Sequence, residues 1–263
     1  AGSSRPNQRT RPGGGADCQS SVTTGAALSP GPLRPGWNDV PFGTVTATMH
    51  SASSSIVRPR LRGVADIYAA AVAIPAVVVL VVAARPGAAT AAAAVYGLCM
   101  VALLIGSALY HRPSWPVRTF LWLRKIDLAN IYLMIAGSCT PLAYAITPGP
   151  GRWLLPAMWI AAALGIAKAL LWSRGHRAIN AGLYVLMGAL TLPCLSAPKA
   201  AVNAADFELL ALGGLLYLLG AIVYALRWPN PRPVVFGYHE IFHVFVFAAA
   251  AVHYAAIWTI VTR

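Results

Sequence analysis

The chain has 263 residues, of which 58% are hydrophobic and only 10% are charged, and its mean hydropathy is +0.64. This composition is typical of an integral membrane protein. The net charge of +13 does not indicate nucleic-acid binding. The basic residues stand singly at the ends of apolar runs and form no patch interleaved with aromatic residues.

The four cysteines are Cys18, Cys99, Cys139 and Cys194, and no two of them form a C-x-x-C pair. The last three lie inside apolar runs. They are therefore expected to be small buried side chains and not a disulfide framework.

Residues 1–56 form a tail that is rich in Gly, Pro, Ser, Thr and Arg. Such a segment buries too little apolar surface to offset its chain entropy, so we expect it to be disordered. It has no apolar core of signal-peptide length, and it is not expected to be a secretory signal. Residues 57–263 are then the single folded domain.

Seven apolar runs follow the tail, each long enough to cross a bilayer as a helix. They are Ile67–Ala84, Ala88–Tyr110, Ile126–Thr147, Trp153–Trp172, Ala178–Ala197, Phe207–Leu226 and Val234–Val261. The connections between them are too short to hold separate domains. The sequence therefore predicts an all-α bundle of seven transmembrane helices.

The basic residues predict the orientation of this bundle. With seven spans, one side of the membrane carries eleven of them: Arg58, Arg60, Arg62, Arg112, Arg118, Arg124, Lys125, Arg174, Arg177, Arg227 and Arg232. The other side carries four, Arg85, Arg152, Lys199 and Arg263, while Lys168 can reach the richer side. Since positive loops remain inside, the N-terminus is expected in the cytoplasm and the C-terminus outside.

The last run opens with the sequence H-E-I-F-H, in which His239 and His243 are four residues apart. On a helix they project from one face and can share a metal ion. The same pattern is the zincin signature, with Glu240 as general base. However, no acidic residue follows Glu240, and His253 lies about 15 Å farther along the helix. A third ligand must therefore come from upstream, which disfavours a protease and makes His253 a core residue.

The predicted topology places four ionisable residues at one membrane depth. His111 ends the second span, Asp127 begins the third, and His239 and His243 lie in the first turns of the seventh. Three imidazoles suit zinc better than magnesium or calcium, and three ligands leave a fourth position for water. Asp127 could take a proton from that water, and Ser107 lies one turn before His111.

Plainer interpretations of the same residues remain open at this point. The histidines could be hydrogen-bonded within the bundle core, and Asp127 could be a helix-start charge favoured by the macrodipole. Ser107 could serve only as a small residue at a helix contact.

Three motifs together resemble the hemolysin III family, the bacterial branch of the progestin and adipoQ receptor superfamily, which is related to alkaline ceramidases. They are S-A-L-Y-H (Ser107–His111), I-D-L-A-N-I-Y-L-M-I-A-G-S-C-T-P (Ile126–Pro141) and H-E-I-F-H (His239–His243). The resemblance runs from about Arg58 to the end. It departs from the family at Leu128, where histidine is common.

This resemblance implies a multi-pass protein of a bacterial plasma membrane with a cytoplasm-facing zinc site. The implied ligands are His111, His239 and His243, with Asp127 contacting the metal-bound water and Ser107 beside it. The expected activity is zinc-dependent hydrolysis of a membrane lipid, such as an amide. The alternatives are a membrane-perturbing hemolysin or pore former, and a sensor or receptor with a structural zinc.

Overall fold

The computed structural model describes residues 59, 61–111, 114–147, 149–172, 177–193 and 202–263. The tail at 1–56, Cys18 and Cys194 lie outside these ranges. Within them the chain forms seven α-helices and no strand. The helices are α1 Val64–Ala83, α2 Ala88–His111, α3 Val117–Ala145, α4 Gly151–Leu171, α5 Arg177–Ala189, α6 Ala204–Leu226 and α7 Tyr238–Thr262. The predicted all-α fold is confirmed.

Six of these helices, all except α5, are long and apolar enough to cross a membrane. The chain is therefore an integral, multi-pass membrane protein. Helix α5 has 13 residues, which span about 20 Å, less than the hydrocarbon core. The predicted run Ala178–Ala197 extends beyond α5, but the helix ends before Pro193, which lacks an amide proton to continue it. Residues 194–201 lie outside the described ranges, so the seventh span stays a prediction.

Helix α3 begins at Val117, nine residues before the predicted run at Ile126. No helix-breaking residue stands between these positions. The helix therefore begins ahead of the apolar run and includes the basic residues that precede it. Asp127 consequently lies in the third turn of α3 and not at its start. The macrodipole explanation of Asp127 is therefore wrong, because that effect is confined to the first turn.

Helix α7 packs against α1, α2, α3 and α6. Small buried residues on its surface, including Ala249, Ala250 and Ala256, allow this close approach. Cys99 and Cys139 are buried, as predicted.

Helix α1 runs parallel to α7, and backbone hydrogen bonds tie the two helices together at both ends. At the start of α1, the Leu61 amide donates to the Val235 carbonyl over 3.3 Å. At its end, the Arg85 amide donates to the Val261 carbonyl over 2.9 Å. Gly63 adopts the left-handed conformation with φ 74° directly before α1, a turn that favours glycine. The first turn of α1 therefore lies level with the first turns of α7.

Candidate metal centre

Three histidines converge where the end of α2 meets the start of α7. His111 is the last residue of α2, while His239 and His243 lie in the first two turns of α7. One ring nitrogen from each histidine lies within 4.8 Å of the other two. His111 and His239 are buried and His243 is nearly so. The structure therefore brings these three histidines together, and the group could hold a metal ion.

One pair of donor nitrogens has the spacing of two zinc ligands. Tetrahedral zinc with Zn–N bonds of about 2.0–2.1 Å places two ligand nitrogens about 3.3 Å apart. The Nε2 atoms of His111 and His239 are separated by 3.2 Å. The Nε2 atom of His243 is buried and has no hydrogen-bond partner among the described residues. A buried nitrogen without a partner is costly, and a metal ion would satisfy it.

Asp66, in the first turn of α1, is a member of this site that sequence reasoning missed. Its Oδ1 atom lies 3.0 Å from His243 Nδ1 and accepts a 2.7 Å hydrogen bond from Ser107 Oγ. The side chain is only 2% exposed. The same depth argument that grouped the histidines could have found Asp66. It begins the first span on the side where His111 ends the second.

Ser107 and Asp127, both predicted to belong to the site, lie in different relations to the histidines. Ser107 is buried, and its hydroxyl is engaged by Asp66, so it does more than fill a helix contact. Asp127, on α3, interacts electrostatically with His243 and with Asp66. The Asp66 carboxylate of α1 therefore contacts His243, and the Asp127 carboxylate of α3 lies within electrostatic range of it.

Glu240, the glutamate of the H-E-x-x-H pattern, makes contacts that stabilise the start of α7. Its Oε2 atom accepts a 2.8 Å hydrogen bond from the Gly237 amide, which caps α7. Its Oε1 atom lies 3.4 Å from Nε of Arg62, just before α1. These contacts favour a role for Glu240 in holding α1 to α7. They agree with the prediction that the H-E-x-x-H pattern is not that of a protease.

His253 lies apart from the cluster, as predicted. Its Nε2 atom is 3.2 Å from the Leu210 carbonyl of α6, and its ring packs against Gly213. A Cβ atom added to Gly213 would lie 2.1 Å from that ring. Glycine at this position therefore makes room for the imidazole between α6 and α7.

Comparisons with known proteins show the family of this chain. The family described as Haemolysin-III related matches residues 54–254. Hemolysin-3 of Bacillus cereus is 33% identical over 186 residues, which cover 69% of this chain and 82% of that protein.

Two animal proteins are also similar. Monocyte to macrophage differentiation factor of Homo sapiens is 32% identical over 180 residues, 64% of this chain and 70% of that protein. Adiponectin receptor protein of Drosophila melanogaster is 31% identical over 150 residues, 51% of this chain and 34% of that protein. The motifs, the helical membrane fold and these matches place the chain in the hemolysin III family, within the progestin and adipoQ receptor superfamily.

Proposed function

We propose that this protein is a zinc-dependent hydrolase that acts on an amide or ester bond of a membrane lipid. The observation that carries the proposal is the convergence of three imidazoles from α2 and α7, with the Asp127 carboxylate of α3 within electrostatic range of His243. Three protein ligands leave one coordination position open, which is the pattern of catalytic zinc sites.

The choice of zinc follows from the donor atoms. Imidazole nitrogens suit zinc, whereas magnesium and calcium prefer oxygen ligands. Bound at His111, His239 and His243, zinc would supply Lewis acidity and lower the pKa of a coordinated water to about 7. Asp127 is the group that would accept the proton of the attacking water, since Asp66 is already engaged by Ser107 and His243.

A lipid substrate fits the position of the cluster in the bundle. Exposed tryptophans stand at the helix ends around it: Trp115, Trp122, Trp172 and Trp228. Tryptophan at such positions is typical of the interface between lipid and water. The described basic residues at this end are Arg62, Arg118, Arg124, Lys125, Lys168, Arg177, Arg227 and Arg232. Because positive residues remain inside, we propose that this end faces the cytoplasm and that the enzyme takes lipid from the inner leaflet.

The variant Asp127→Asn tests the proposal, because asparagine keeps the shape of aspartate but accepts no proton. We expect turnover of a ceramide or an ester glycerolipid in detergent micelles to fall about 10²–10⁴-fold. Zinc content and melting temperature should remain near those of the wild type. Asp206→Asn, a buried acid at the far end of the bundle, is the control and should retain turnover. Wild-type protein without turnover on either lipid, or full turnover in Asp127→Asn, would count against a hydrolase.

The second candidate is a sensor or receptor in which the metal is structural. It is favoured by one observation: the polar contacts of the cluster link three helices, α1 through Asp66, α2 through His111 and α7 through His243. One relative is named a receptor and another a hemolysin. In a structural site, Asp127→Asn would lower zinc content and melting temperature together. In a pore former, leakage from liposomes would be unaffected by the same change.

A further inference from the structure

We propose that Asp66 is a positioning residue, which orients His243 toward the metal and is itself held in place by Ser107. This inference rests on the proposed metal site and adds a residue that neither the motifs nor the resemblance assigned to it. The role of Asp66 is tested by measuring metal affinity, which is independent of any lipid chemistry.

Asp66 determines which nitrogen of the His243 ring carries the proton. Asp66 Oδ1 lies 3.0 Å from Nδ1, so the carboxylate accepts a hydrogen bond from a protonated Nδ1. In the neutral ring the other nitrogen, Nε2, then carries the lone pair. This is the nitrogen that is buried and has no hydrogen-bond partner in the described part of the chain. Asp66 therefore selects the tautomer that can bind a metal.

Ser107 and the start of α1 hold the Asp66 carboxylate in place. A buried carboxylate is stable only when its charge is compensated. Ser107 donates a 2.7 Å hydrogen bond to the same Oδ1 atom that faces His243. Asp66 is also the third residue of α1, where the helix N-terminus favours a negative charge. These contacts fix the direction of the carboxylate and, through it, the plane of the imidazole.

Asp66 is a positioning residue and not a metal ligand. Asp66 contacts Nδ1 of His243 and not Nε2, so it acts on the metal through that ring. His239 offers a contrast, because its Nδ1 atom is buried without a partner among the described residues. Carboxylates behind metal-binding histidines raise the basicity of the ligand, and their loss typically weakens metal affinity about 10–100-fold.

The experiment measures zinc affinity by chelator competition in purified full-length protein. We expect Asp66→Ala to bind zinc about 10–100-fold more weakly than the wild type. Asp66→Asn should lose less, because the amide oxygen can still accept from Nδ1 but carries no charge. Ser107→Ala should show the smallest loss, since it only loosens Asp66. Asp206→Asn, equally buried but at the far end, should change the melting temperature without changing zinc affinity.

Three results would overturn the inference. The first is zinc affinity in Asp66→Asn and Asp66→Ala indistinguishable from the wild type. The second is an equal loss of affinity in Asp206→Asn, which would reveal general destabilisation. The third is wild-type protein that binds no zinc, which would remove the proposed function as well. If Asp66→Ala does not fold, the near-isosteric Asp66→Asn decides the question.

Discussion

Two buried aspartates, at opposite ends of the bundle, differ in the groups that compensate their charge. Asp66 is 2% exposed and Asp206 is 1% exposed, and each lies in the first turn of its helix. Asp206 is fully compensated. Arg263 donates to both of its oxygens, over 2.9 and 3.2 Å, and Thr259 donates to one of them. Asp66 is instead paired with His243, an imidazole whose second nitrogen has no hydrogen-bond partner among the described residues.

The histidines of α7 extend the comparison. His253, near the Asp206 end, also has a buried nitrogen, Nδ1, without a hydrogen-bond partner in the described residues. An unpaired nitrogen is therefore not by itself a metal site. What distinguishes the other end is that the nitrogens of His111 and His239 converge with that of His243. Ligation requires several donors at one point, and only the Asp66 end supplies them in the described chain.

The largest expected effect is all-or-none and concerns which end faces the cytoplasm. A reporter fused after Arg263, beside Asp206, should behave as extracytoplasmic, because the basic residues cluster at the Asp66 end. Paired reporters that are active only outside or only inside would measure this. A cytoplasmic signal after Arg263 would invert the comparison and place the histidines at the outer surface.

The next largest effect is loss of the metal in His239→Ala. Two imidazoles hold zinc poorly, so elemental analysis should show about one zinc per chain in the wild type and little in the variant. The matched control is His253→Ala, on the same helix but bonded to Leu210, which should retain its zinc. A full complement of zinc in His239→Ala would exclude His239 as a ligand.

At the other end, Arg263→Ala should affect stability and not metal content. It leaves the Asp206 carboxylate buried without its cation, and hydrogen bonds to charged groups contribute about 1.5–3 kcal/mol. Arg263 is 49% exposed, so water offsets part of this loss. Thermal unfolding with zinc analysis on the same sample would measure both quantities. Zinc lost in parallel with stability would mean that the two ends are not independent.

The smallest effect concerns the packing of His253. Gly213→Ala would force a Cβ atom against its ring, and overpacking of this kind costs about 1–3 kcal/mol. The neighbouring Gly214→Ala is a matched control, because its added Cβ would meet nothing within 4 Å. The difference in melting temperature between the two variants isolates the contact. Equal melting temperatures would show that α6 and α7 can separate without cost.

The histidine cluster was predictable because its cause is local in sequence. The i, i+4 spacing places His239 and His243 on one helix face, and alternation of spans across the membrane brings His111 to the same depth. Asp66 was missed because it stands one residue before the apolar run at Ile67 and has no partner nearby in the sequence. Its partners, Ser107 and His243, are set by how α1 packs between α2 and α7.

The helix bounds show the limit of hydropathy. Apolar runs report where lipid surrounds a helix, whereas the helix itself ends where its hydrogen bonds end. Helix α3 therefore starts at Val117, ahead of its apolar run, and α5 stops at Ala189 within a run that continues to Ala197. The pairing of Asp206 with Arg263 was not predicted for a related reason. The sequence around each of these residues contains no sign of the other.

The parallel contact between α1 and α7 also has a consequence for how the protein is made. Helix α1 leaves the ribosome well before α7, yet Asp66 is paired with His243 of α7. Until α7 is inserted, Ser107 of α2 is the partner already available to Asp66. Metal capture through His239 and His243 would require α7 to be in place. Zinc loading would thus report that α7 has been inserted beside α1.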